Sequence, residues 1–97
     1  MQPYFSDSVL LKLTKKHKVS VGEVLECFAN RVGPSLTDKR LNHQTNPPTR
    51  WFIAETDMGR KLKVVYILVD NSFEVKTAYP PNQTEIDIYT NVANVCF

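Results

Sequence analysis

Ninety-seven residues, 42% hydrophobic and 23% charged, suffice for one hydrophobic core but not two, and they exclude a disordered or fibrous chain. The net charge of +2 and pI near 8.6 are too mild to demand a nucleic-acid partner, so the distribution of charge matters more than its total. Cys27 and Cys96 are too few for a disulfide framework, so two reduced thiols and a cytoplasmic location are expected.

Met1 to Phe5 lacks a basic leader and an apolar run, and no window approaches the ~18 apolar residues of a membrane span. The expectation is one domain over residues 1–97 with no membrane partner. Ser6-Asp7-Ser8 supplies capping oxygens for a first helix that runs to about Lys16, with Val9, Leu10 and Leu13 at helical spacing. Ser20-Val21-Gly22-Glu23 has the capping-box pattern, a hydroxyl followed three residues later by a carboxylate. A second helix follows, with Val21, Val24, Leu25 and Phe28 as its apolar stripe and Asn30 to Pro34 as its stop. The short link between the helices predicts a helical hairpin.

Ser35 to Thr49 is polar and irregular, with at most a short strand at Ser35 to Thr37. Its Arg40, His43 and Thr45 make it a candidate substrate flap. Three strands follow, at about Arg50 to Thr56, Arg60 to Val69 and Ser72 to Tyr79. Asp57-Met58-Gly59 and Asp70-Asn71 form the turns, because these residues tolerate positive φ where hairpins need it.

Strict alternation outward from Asp70-Asn71 pairs Leu68 with Phe73, Tyr66 with Val75, Val64 with Thr77 and Leu62 with Tyr79. The first turn pairs Phe52 with Val64 and Ala54 with Leu62. These residues then form the core face, and Trp51, Ile53, Glu55, Lys61, Lys63, Val65, Ile67, Glu74, Lys76 and Ala78 form the other. Val65 and Ile67 on that second face imply an apolar cover, the last helix or a partner. Pro80-Pro81 ends the sheet, and Thr84 with Asp87 is expected to cap a final helix carrying Ile86, Tyr89 and Val92 or Ala93. The predicted class is α+β, two N-terminal helices on an antiparallel β-meander of three to four strands with a short C-terminal helix.

Several chemistries lack their residues. The glycines Gly22, Gly33 and Gly59 are isolated, so no phosphate-binding loop is present. The cysteines and histidines have no zinc spacing, and neither a metal nor another cofactor is expected. Cys27 falls in an apolar helical stripe, which makes it a core residue rather than a nucleophile.

The remaining candidates are cationic and aromatic. Lys15-Lys16-His17-Lys18 suits phosphate, although a solvated helix C-terminus explains the same lysines. Lysines on an uncovered sheet face also prevent edge pairing. Trp51 on that face favours RNA, since an indole gives bases a stacking surface. RNA cleavage without a metal needs a base for the 2′-hydroxyl, an acid for the leaving oxygen and cations over the phosphate. The candidates are His17 or His43 for proton transfer, Lys16, Lys63, Lys76 and Arg60 for charge, and Tyr79 or Tyr89 as hydroxyl donor. Lys15, Arg40, His43, Trp51, Arg60 and Lys61 complete an RNA-binding surface.

Lys16-His17-Lys18-Val19-Ser20, the helix with Phe28, FIAETDMGRKLKVVY and VKTAYPP resemble the corresponding segments of BrnT-like toxins of the RelE superfamily, over roughly Leu11 to Tyr89. Where that pattern has glycine this chain has Lys18, and Ala78-Tyr79-Pro80-Pro81-Asn82 replaces an arginine-rich segment. The resemblance implies a RelE-like fold and a ribonuclease toxin of a bacterial toxin-antitoxin pair, acting on mRNA, ribosome-bound or free, and inhibited by a cognate antitoxin protein. It also implies basic residues along the central strands, here Lys61, Lys63 and Lys76. The non-enzymatic alternative is a protein- or RNA-binding module of the same fold. A further alternative, an ADP-ribosyl-(dinitrogen reductase) hydrolase, would need metal-binding acids in a constellation that this chain does not show.

Overall fold

The computed structural model describes residues 3–38 and 47–97. Its elements are β1 (Tyr4–Phe5), α1 (Asp7–Lys12) continued by a wide π turn (Leu13–His17), α2 (Val21–Asn30), β2 (Leu36–Thr37), β3 (Arg50–Glu55), β4 (Lys61–Val69), β5 (Ser72–Tyr79) and α3 (Gln83–Ala93). This is the expected α+β class. Among the described residues no helix is long and apolar enough to cross a membrane. Arg40, His43 and Thr45 lie outside the described residues.

Side-chain caps set the helix starts. The Val9 amide donates to Ser6 Oγ at 3.3 Å. The Ser20–Glu23 capping box closes with reciprocal bonds of 3.1 and 3.0 Å. The first helix ends in the π turn, where Lys18 adopts the left-handed conformation at φ 56°. A side chain there is strained relative to glycine. α3 begins two residues earlier than expected. Its cap is Asn82, whose side chain accepts from the Glu85 amide at 2.8 Å while Glu85 Oε1 accepts from the Asn82 amide at 3.0 Å. Thr84 and Asp87 are therefore inside the helix rather than its cap.

Among the described residues the sheet has five strands in the order β1-β5-β4-β3-β2. It is mixed rather than wholly antiparallel, because β1 pairs with β5 in parallel. Two residues, Tyr4 and Phe5, are too few to display the alternation by which a strand is recognised. Both hairpin turns form as expected, with positive φ at Asp70, Asn71 and Gly59.

One β-bulge changes the register. Leu68 faces Phe73 and Tyr66 faces Val75 as strict alternation requires, but the next pairs are Val65 with Thr77, Val64 with Ala78 and Lys63 with Tyr79. Lys76 is the extra residue, opposite no single partner. The expected pairs Val64–Thr77 and Leu62–Tyr79 are therefore wrong. Ala78, assigned to the second face, is fully buried in the core, while Thr77 and Tyr79 exchange to the Lys63 side.

Both faces of the sheet are covered. On one, Phe28 of α2 meets Phe52, Tyr66 and Phe73 at ring separations of 5.1, 5.8 and 5.3 Å, spacings at which aromatic pairs attract. On the other, Tyr89 of α3 packs 5.7 Å from Trp51 and donates to the Pro34 carbonyl at 2.8 Å. Gly33 permits that approach, since a Cβ there would collide with Val95 and stand 2.9 Å from the Tyr89 hydroxyl. The second face is thus not open, and Ile53 beneath α3 is fully buried.

Candidate functional site

The bulge and the helix cap together assemble a polar cluster. The shifted register sets Tyr79 directly across from Lys63, and the Asn82 cap places Glu85 in the first turn of α3. Lys63 Nζ donates to Glu85 Oε2 at 2.7 Å, and the Tyr79 hydroxyl donates to the same oxygen at 2.9 Å. Lys63 Nζ also lies 4.6 Å from the centre of the Trp51 ring, a cation–π distance. The His17 ring, at the end of the π turn, stands 5.4 Å from that of Tyr79. His17, Tyr79, Glu85, Lys63 and Trp51 therefore form one continuous path.

The electrostatics follow from burial and neighbours. Burial, the largest influence on Glu85, pushes its carboxyl up, but Lys63, the Asn82 amide and the Tyr79 hydroxyl together hold it below the ordinary carboxylate value. Burial and then the bond to Glu85 raise Tyr79, so its phenol keeps its proton. Burial, then Lys16 and Lys12, lower His17, so its imidazole is neutral near pH 7. The path thus joins a neutral base, a protonated phenol and an ionised carboxylate.

Beside this path lies a cleft of about 710 Å³, whose lining includes Trp51, Lys63 and Glu85. Ser35 to Asp38 form one side, and Ile88 and Val92 of α3 form the other. Its volume falls within the range of small-ligand pockets, roughly 300–1,000 Å³.

The other expected site residues are dispersed. Lys15 and Lys16 are exposed beside His17. Lys76, the bulge residue, is exposed and lies 3.7 Å from Glu74, away from the cleft lining rather than beside Lys63. Arg60 donates to the Lys18 carbonyl at 3.0 Å and pairs with Glu23 at 3.1 Å, which ties the start of α2 to the sheet. Lys61 lies 3.9 Å from Glu55 and 5.6 Å from the centre of the Phe97 ring. Tyr89 is buried and holds α3 in place. Arg40 and His43 lie outside the described residues.

Glu85 was missed by sequence reasoning. The signal was present as Asn82-Gln83-Thr84-Glu85, a second capping-box spacing overlapped by the Thr84–Asp87 alternative. Cys27 is buried among core residues, and burial pushes its thiol up to about 12, so it is no nucleophile at neutral pH. Among the described residues no group of three or more His, Cys, Asp or Glu is placed to hold a metal ion. No protein-family model, no curated protein and no solved structure matches this chain.

Proposed function

We propose that this chain is a metal-independent endoribonuclease, the toxin of a toxin-antitoxin pair with a RelE-like arrangement, and that cleavage occurs at the His17–Tyr79 corner. The observation that carries the reading is the continuous path from His17 through Tyr79 and Glu85 to Lys63, with the exposed Lys15 and Lys16 beside its outer end. Neutral His17 takes the proton of the 2′-hydroxyl, whose oxygen attacks the adjacent phosphorus. Lys15 and Lys16 meet the charge that grows on the phosphoryl oxygens. The Tyr79 hydroxyl breaks its bond to Glu85 Oε2 and gives its proton to the departing 5′-oxygen, and the His17 imidazolium returns a proton to the phenolate, which restores the bond to Glu85. The products are a 2′,3′-cyclic phosphate and a 5′-hydroxyl.

In this reading Lys63 does not bind phosphate. It is 7% exposed, and its charge is matched by Glu85 at 2.7 Å. Its task is to keep Glu85 ionised and thereby hold the Tyr79 hydroxyl in place. The same observation favours the second reading, a non-catalytic binding module, because a neutralised lysine beside an apolar-walled cleft also suits a ligand that is held and not cut.

The deciding experiment is incubation of the purified chain with 5′-labelled single-stranded RNA in EDTA and, separately, with mRNA on translating ribosomes in magnesium buffer. Fragments ending in 2′,3′-cyclic phosphate are expected. RNA left intact at high protein concentration in both settings overturns the nuclease reading and leaves the binding module.

A further inference from the structure

The cleft beside the cluster has a composition that differs from a phosphate site. Among the described lining residues Lys63 is the one cation, and it is ion-paired with Glu85, while Asp38 adds a carboxylate. A phosphate entering it would meet no uncompensated positive charge from the described lining residues, and desolvating an anion there is costly. The walls are instead apolar and aromatic: Leu36 and Trp51 on the sheet side, Ile88 and Val92 on α3. Ile88 and Val92 are 46% and 66% exposed, on a helix that buries Tyr89 and half-buries Ile86. The Thr37 hydroxyl supplies a polar edge without net charge, whereas the Ser35 hydroxyl is bonded to Tyr66 at 2.6 Å and to Arg31 at 3.1 Å.

A neutral, flat, heteroaromatic group with hydrogen-bonding edges fits these walls. From charge, volume and lining we infer that the cleft between β2 and α3 receives a single unstacked nucleobase, with the sugar-phosphate backbone running outside it past the exposed lysines beside His17. This deepens the nuclease reading and rests on it for the identity of the polymer. It assigns base contacts to Leu36, Ile88 and Val92, which the sequence did not single out as ligand residues. It also separates the two jobs in space, since phosphate is met at the helix corner and the base in the cleft.

Trp51 is the single tryptophan of the chain, so its emission reports directly on the cleft. The experiment titrates the full chain with free nucleosides, with ribose 5-phosphate and with inorganic phosphate while following that emission. Nucleosides should change it saturably, and the two phosphate probes should not. In the Ile88→Gln, Val92→Gln variant, whose substitutions sit at exposed positions, nucleoside binding should weaken roughly tenfold, the scale of one base contact. Cleavage of RNA is measured on the same preparations. Emission unchanged by millimolar nucleoside, an equal response to ribose 5-phosphate, or unchanged affinity in the double variant each overturns the base site. If RNA is still cut in those cases, the nuclease reading survives without it. If nucleosides bind but RNA stays intact, the base site survives and the nuclease reading fails.

Discussion

Glu85 shows how much one side chain can organise. Its carboxylate accepts from the Asn82 amide, from Lys63 and from Tyr79, so it starts a helix, neutralises a buried ammonium and orients a phenol at once. Replacing it with glutamine removes the charge but keeps the size, leaving Lys63 buried without its counterion. Such a loss costs about 2–5 kcal/mol, and urea unfolding should show it at pH 7. The pH dependence has a definite sign. The folded-state pKa of Glu85 is depressed, so its stabilisation is present above the ordinary carboxylate value of 4.5 and is lost as pH falls through the lower folded value. Glu23 is also depressed, first by the Ser20 amide, and contributes in both proteins. The acid-induced loss of stability should therefore be shallower in Glu85→Gln than in the parent, but not absent. An identical acid slope in the two proteins would mean that Glu85 is not held ionised by its neighbours.

At the scale of elements, the decisive feature is the extra residue in β5. Turn chemistry and alternation correctly located β3, β4, β5 and both hairpin turns, because glycine, aspartate and asparagine at φ > 0 leave a local signature. Alternation also gave the right pairs on the turn side of the bulge. Beyond it every side chain changes face, since a one-residue slip inverts the pattern. A bulge leaves little trace in a single sequence when the residue inserted is an ordinary lysine. Deleting Lys76 makes a sharp test, because the pairs Tyr66–Val75, Val65–Thr77, Val64–Ala78 and Lys63–Tyr79 then form one regular ladder. The shortened protein should stay folded, within about 1 kcal/mol of the parent, as expected for changes away from the core. Loss of folding in denaturant titrations would show that the bulge itself, through its twist, is required. α2 was legible from its capping box, whereas the start of α3 was misplaced because two cap patterns overlap at Asn82 to Asp87.

For the whole molecule, the candidate site depends on elements distant in sequence that meet around β4. The π turn brings His17, the bulged strand brings Tyr79, and α3 brings Glu85 and the outer wall of the cleft. His17, Tyr79 and Lys63 were legible as chemical types, because histidine, tyrosine and lysine suit RNA chemistry. Their connection was not, since it passes through Glu85 and a register that periodicity gets wrong. The second face, expected to present Trp51 and its lysines apart from an apolar cover over Val65 and Ile67, packs Trp51 against Tyr89 of α3, so the proposed RNA site is the corner and the cleft rather than a sheet surface. Arg60 and Lys61, counted from sequence as RNA contacts, stand beside Glu23 and Glu55.

The central claim is that His17 and Tyr79 transfer protons during RNA cleavage, and the rate of cleavage in EDTA as a function of pH tests it most directly. In the parent the acid limb should fall below the ordinary imidazole value of 6.5, because His17 is lowered, and the rate should reach a plateau above it. His17→Ala and Tyr79→Phe should each slow cleavage by about 100-fold or more, the usual scale of general acid–base catalysis. Their folded state is to be checked by urea unfolding in the same buffers. Cleavage at the parental rate with the parental pH profile in either folded variant would contradict the account.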